Sequence, residues 1–120
     1  MPVSLVKGGL CVAMLVLASA VADAADSFTD EIAPLFIRRC LECHSGPSPE
    51  GGLRLNDAAG LMAGGESGPA VIPSAPEDSL LWQRVTSDEM PPEHPLPPEE
   101  KEQLARWIAD GGRWQGGPLD

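Results

Sequence analysis

The chain has few aromatic side chains: its 120 residues include no tyrosine, two phenylalanines and three tryptophans. A chain of this length suits one small domain, and such a domain buries only a modest fraction of its surface. Small domains with a limited core are often completed by a disulfide, a metal or a cofactor. The composition therefore favours a site built around a bound group over chemistry done by side chains alone.

Positive charge is also scarce. The chain has eight lysines and arginines and 18 aspartates and glutamates, which gives a formal net charge of −10. A surface this acidic argues against nucleic-acid binding and against docking on anionic lipid. It suits a basic protein partner, or solubility alone.

No hydrophobic run is long enough for a confident membrane span. The uncharged stretch from Gly8 to Ala22 is shorter than the ~20 residues that a span needs. Lys7 precedes it, the apolar run Leu10–Leu17 lies inside it, and alanine-rich cleavage sites follow. This order is typical of a secretory signal peptide. We expect residues 1–25 to be a leader and 26–120 to be an exported domain without a transmembrane span, periplasmic or at the cell surface; an uncleaved leader would tether it to the membrane.

Paired segments of alternating polarity are absent, so the sequence predicts no β-sheet. Apolar residues instead recur at helical spacing, and Pro34 is expected to start or bend the first of these helices. The fold class is therefore all-α, with three to four helices and long loops. The predicted helices cover 28–39, 57–62, 77–86 and a last segment that begins at Pro98 and stops at Gly111-Gly112.

The motif Cys40-Leu41-Glu42-Cys43-His44 points to a specific chemistry. Two thiols one helical turn apart can form thioethers with the two vinyl groups of one haem, and the next residue supplies an imidazole to the iron. We therefore expect one covalently attached haem c, held by Cys40 and Cys43 and ligated by His44. The export leader supports this independently, because bacteria attach haem outside the cytoplasm.

Two other readings of the cysteines stay open. A thioredoxin-like dithiol, and with it a thiol-disulfide oxidoreductase, would use the same spacing, but its first thiol sits at a helix N-terminus, whereas here the helical pattern precedes the cysteines. A zinc site needs four ligands, and His94 is the obvious fourth beside Cys40, Cys43 and His44.

The chain resembles the class I cytochrome c family in its helix ending at C-x-x-C-H, its downstream Met-Pro pair and its closing helix with a tryptophan. More specifically, it resembles the planctomycete-type cytochrome c domains, over about Phe28 to Trp114. This resemblance implies a small cytochrome c-like fold around one covalently bound haem. The segments that carry it are GGLRL (51–55), GGESGPAVIP (64–73), PEDSLL (76–81) and MPP (90–92).

The resemblance also implies further site residues. Met90 matches the Met-Pro-Pro position and is expected to be the sixth iron ligand, which raises the haem potential relative to two histidines. The alternatives are ligation by His94 and an open sixth position; Met62 is a poorer candidate and is expected to serve in packing. Arg54 is a candidate partner for a haem propionate. The apolar crevice is expected to comprise Leu35, Phe36, Leu80, Leu81, Leu104, Trp107 and Ile108.

These features predict one-electron transfer with a redox partner protein that has a basic docking surface. We find no nucleophilic triad, phosphate loop or pair of catalytic carboxylates, so we do not expect the domain to be an enzyme by itself. Planctomycete-type domains often head longer proteins, and the alternative function is therefore a haem-bearing sensory or recognition module of a larger multidomain protein.

Overall fold

A computed structural model of the chain describes residues 8–9, 13 and 27–120. The predicted leader thus lies outside the described residues, apart from three of its positions. The described part is all-α, as predicted: it contains four α-helices and no strand. None of its helices is both long and apolar enough to traverse a lipid bilayer. The helices are α1 (Ala33–Arg39), α2 (Ala58–Ala63), α3 (Leu80–Thr86) and α4 (Pro98–Ala109).

The first predicted helix is present, but it has two parts. A π-helical turn, Phe28–Ile32, runs directly into α1. Pro34 lies in the first turn of α1 and has no N–H to donate, and the N–H of Ala33 bonds to the carbonyl of Phe28. The wider turn therefore stands immediately before the proline, and α1 continues regularly to the cysteine motif.

The third predicted helix is interrupted at Ser79. A 3-10 turn, Pro76–Asp78, precedes this residue, and α3 begins after it. The Ser79 hydroxyl is fully buried, accepts the N–H of Ile72 at 2.9 Å and donates to the carbonyl of Ala75 at 2.9 Å. The prediction of one helix over 77–86 is therefore wrong at Ser79, because this serine is held by the preceding loop in an extended conformation (φ −88°, ψ 121°).

Four aromatic side chains pack together: three are buried in the core, and Trp114 is partly buried against it. Phe28 lies between Trp107 and Trp114, with ring centroids 5.8 Å and 4.5 Å away. Phe36 meets Trp107 edge to face at 5.8 Å, and the Trp107 indole N–H donates to the carbonyl of Arg113 at 2.9 Å. These contacts join the first helical segment to α4, and they fix the end of α1 where the cysteine motif begins.

Helix α2 and the loop after it are tightly constrained. Asp57 caps α2 by accepting the N–H of Gly60 at 2.6 Å. The helix ends at Gly64, which has φ +70° and lies so close to Gly68 that any side chain would collide with its carbonyl. A Cβ on Gly65 would lie 2.6 Å from the carbonyl oxygen of Gly51. The loop is therefore packed backbone against backbone beside the 3-10 turn Glu50–Gly52.

Candidate functional site

A cleft of about 440 Å³ opens between the end of α1, the loop that follows it, and the segment from α3 to Pro92. Its volume falls in the range of small-molecule and cofactor pockets, about 300–1,000 Å³. The structure brings four predicted site residues together there: Cys40, Cys43, His44 and Met90. The remaining lining residues are Arg39, Glu50, Gly51, Leu53, Leu55, Gly65, Ser67, Gly68, Ala70, Leu80, Leu81, Arg84, Val85, Pro91 and Pro92.

The two cysteines lie in one turn at the end of α1. The N–H of Cys40 still bonds to the helix carbonyl of Phe36, and the N–H groups of Cys43 and His44 both bond to the carbonyl of Cys40. Both thiols are free; Cys40 is half-buried, whereas Cys43 is exposed. The local fold therefore presents both sulfurs and the imidazole to the same cleft.

His44 is held from two sides. Its Nδ1 lies 3.1 Å from the carbonyl oxygen of Leu53, and its own carbonyl accepts the N–H of Leu55 at 2.7 Å. A carbonyl can only accept, so Nδ1 carries the proton and the Nε2 lone pair is free to bind a metal. The sequence left open which carbonyl would orient this ring; the structure identifies Leu53.

The environment of Cys40 argues against dithiol chemistry. Burial first, and then the negative charge of Glu100, raise the pKa of its thiol from 9.0 to about 12, although the positive charge of Arg39 opposes the rise. A catalytic dithiol needs the opposite, a lowered pKa at a helix N-terminus. The described residues likewise contain no group of three side chains placed to bind a zinc ion.

Met90 lines the same cleft, in the segment that follows α3. Its N–H bonds to the carbonyl of Arg84 at 3.0 Å, and the Met90–Pro91 peptide bond is cis. The other candidate ligand, His94, is exposed and does not line the cleft. Met62 was expected to serve in packing, but its side chain is 72% exposed, and it too lies outside the cleft.

Arg54 contacts the loop instead of the cleft. Its guanidinium donates twice to the carbonyl of Gly46, at 2.9 Å and 3.2 Å. Two arginines that the sequence analysis did not single out, Arg39 and Arg84, line the cleft. The spacing of Arg84, four residues after Leu80 on the same helix face, is the signal that could have identified it. For Arg39, the only sequence signal was its position next to Cys40.

The apolar wall also differs from the predicted crevice. Leu80 and Leu81 line the cleft as expected, together with Leu53, Leu55 and Val85. The other predicted members lie in the core, because the apolar faces of the first helical segment and α4 pack against each other: Leu35, Phe36, Leu104, Trp107 and Ile108.

The residues of the cleft fit a haem. Aliphatic side chains suit the faces of a porphyrin, and imidazole and thioether are iron ligands used in c-type cytochromes. Nε of Arg39 is buried without a hydrogen-bond partner in the described part of the chain. An unpaired donor of this kind in a cleft wall is consistent with a site that a polar cofactor completes.

A small all-α domain that gathers C-x-x-C-H and a methionine around one apolar cleft has the arrangement of a c-type cytochrome. Residues 40–94 match the family model described as Planctomycete cytochrome C. This match agrees with the family that the motifs of the chain resemble, and cytochrome c domains are haem-binding electron-transfer modules. Neither the curated proteins nor the solved structures include a match to this chain.

Proposed function

We propose that the chain is an exported monohaem c-type cytochrome, with a leader over residues 1–25 and a haem domain over 26–120. Its function is one-electron transfer between protein partners. One observation carries the proposal: Cys40, Cys43, His44 and Met90, although up to 50 positions apart, line a single apolar cleft. When bound there, the haem supplies an iron that alternates between the ferrous and ferric states.

Cys40 and Cys43 are the attachment residues in this proposal. Each thiol adds across one vinyl group, with sulfur bonded to one carbon and the thiol hydrogen transferred to the other, so the step needs no oxidant or reductant. The single turn that holds both cysteines supports attachment to one ring edge.

His44 and Met90 are the side chains that would ligate the haem iron in this proposal. The carbonyl of Leu53 fixes the tautomer of His44 and increases the basicity of its ligating nitrogen. With both side chains bound to the iron, a substrate or a gas would have to displace one of them. The domain then acts as a carrier instead of an enzyme or a gas sensor, and the methionine raises its potential.

The proposed location is the periplasm or the cell surface, and the proposed partner is a redox protein with a basic docking surface. The leader pattern supports the location, and the net charge of −10 supports the partner.

The test is an absorption spectrum of the exported protein, produced in a bacterial host that matures c-type haem. We expect a c-type spectrum that survives denaturation and is lost in the Cys40→Ser/Cys43→Ser variant. The ferric protein should show a methionine–iron charge-transfer band that disappears in Met90→Ala.

Two matched variants control for the sixth ligand. Met62→Ala removes an exposed methionine outside the cleft, and His94→Ala removes the competing histidine; both should keep the band. A colourless protein would overturn the proposal as a whole. A coloured protein whose reduced form rapidly binds carbon monoxide would overturn the closed iron site and favour the sensory module.

A further inference from the structure

Two consecutive residues in the first turn of α4 form ion pairs with two different segments of the chain, each of which contributes residues to the cleft. Glu100 pairs with Arg38 at 3.0 Å and with Arg39 at 3.2 Å. Its neighbour Lys101 pairs with Asp88 at 2.5 Å. We call the lining segment that carries Cys40, Cys43 and His44 the cysteine wall, and the lining segment that carries Met90 the methionine wall.

The pairs of Glu100 bind the cysteine wall. Arg39 lines the cleft and directly precedes Cys40, and each oxygen of the Glu100 carboxylate accepts from one arginine. The Glu100 side chain is only 12% exposed, so solvent screens these pairs less than it screens an ordinary surface pair. The end of α1 is thereby fixed to α4.

The pair of Lys101 binds the methionine wall. Asp88 lies two residues before Met90, in a turn where its N–H bonds to Val85 and the N–H of Met90 bonds to Arg84. That turn is attached to α3 through its backbone, and the Asp88 carboxylate attaches it to α4. The Lys101 side chain is 22% exposed, less than the 53% of Asp88.

We propose that Glu100 and Lys101 are positioning residues that clamp the two cleft walls together, so that Met90 stays within reach of an iron held by His44. Because both residues belong to one turn of a continuous helix, the walls cannot separate unless at least one set of ion pairs breaks. This inference rests on the proposed function, since it concerns retention of the sixth ligand.

The test is a titration of the ferric holoprotein with imidazole, which competes with Met90 for the iron. Lys101→Met keeps most of the aliphatic side chain but removes the charge. It should raise the apparent imidazole affinity about two- to fivefold, the factor expected for one partly exposed ion pair. Lys101→Arg should restore the wild-type affinity.

Two further variants test the same contacts. Asp88→Asn suits the left-handed backbone at this position (φ +65°) and should match Lys101→Met, with no added effect in the double variant. Glu100→Gln releases both arginines of the cysteine wall and should raise imidazole affinity at least as much. High salt should raise the imidazole affinity of the wild type more than that of Lys101→Met, which keeps only the pairs of Glu100.

The controls lie on the same helix. Glu102→Gln removes a carboxylate from an exposed position, and Arg106→Gln removes a cation whose carboxylate contact, to Glu31 at 3.9 Å, is remote from the cleft. Both should leave the imidazole affinity unchanged.

The outcomes separate the clamp from the function. A wild-type protein without the methionine–iron band would refute ligation by Met90, whatever the variants do. A wild type with the band, combined with clamp variants that bind imidazole no more tightly than Glu102→Gln and Arg106→Gln, would overturn the clamp alone.

Discussion

At the scale of single residues, Cys40 and Cys43 have different environments although they are three positions apart. Cys43 is exposed, whereas burial and the charge of Glu100 raise the pKa of Cys40 to about 12. The thiolate is the nucleophilic form of a cysteine. The two residues should therefore differ in reactivity before any group is attached.

We expect Cys43 to react with iodoacetamide faster than Cys40 at pH 8, in protein prepared without haem. Because the raised pKa keeps Cys40 mostly protonated at pH 8, its rate should continue to climb as the pH rises toward about 12. Peptide mass mapping of time points measures both rates. The difference should vanish in denaturant; equal rates in buffer would show that the fold does not protect Cys40.

Residue identity predicted part of the site well and part of it poorly. Thiols, imidazole and thioether have few other uses in a C-x-x-C-H and Met-Pro context, so their gathering in one cleft followed from chemistry and family resemblance. Arginine has many uses, and a sequence does not show what a guanidinium contacts. Arg54 binds a loop carbonyl, and Arg39 and Arg84 line the cleft, because of contacts between distant segments.

At the scale of elements, local signals located three helices correctly. Asp57 and Gly64 mark the two ends of α2, and Pro98 and the Gly111-Gly112 pair mark those of α4. Signals of this kind act within one or two helical turns. The break at Ser79 depends on hydrogen bonds to Ile72 and Ala75, which lie in a loop. The periodicity of apolar residues does not depend on such hydrogen bonds, so the break at Ser79 could not be predicted from it.

The glycine loop after α2 gives an element-scale prediction. Gly65→Ala should destabilise the domain by about 1–3 kcal/mol, because the new methyl group would lie 2.6 Å from the Gly51 carbonyl oxygen and a backbone atom cannot easily move aside. Denaturant unfolding of the holoprotein measures the change.

The matched control for that prediction is Gly117→Ala. A Cβ at Gly117 has no atom within 4 Å, and its φ lies outside the left-handed region. We expect this variant to unfold within ~0.5 kcal/mol of the wild type. If the Gly65 and Gly117 variants had the same free energy of unfolding, the close backbone contact at Gly65 would not contribute to stability.

At the scale of the whole molecule, negative charge exceeds positive charge. The total is −10, and several of the few cations are engaged in ion pairs within the chain, including Arg38, Arg39 and Lys101. The field that an approaching protein meets is therefore dominated by carboxylates.

We expect electron exchange with a basic redox protein to slow by about tenfold or more between roughly 10 mM and 150 mM salt, as the Debye length shortens from about 30 Å to about 8 Å. Stopped-flow spectroscopy measures the rate. An acidic partner of similar potential serves as the control, and its rate should rise or stay level. A salt-independent rate with the basic partner would count against electrostatic docking.

The close backbone contacts at Gly64 and Gly65 also imply that these glycines are constrained by the fold and not by haem attachment. Side chains are excluded there by neighbouring carbonyls, with no contribution from the cysteines or from His44. Sequence drift should therefore leave these glycines in place even in a descendant that has lost C-x-x-C-H. Such a descendant would retain this fold with a haem-free cleft, open to another ligand. The glycine segment is therefore a marker of common descent, and the cysteine motif is a marker of haem attachment.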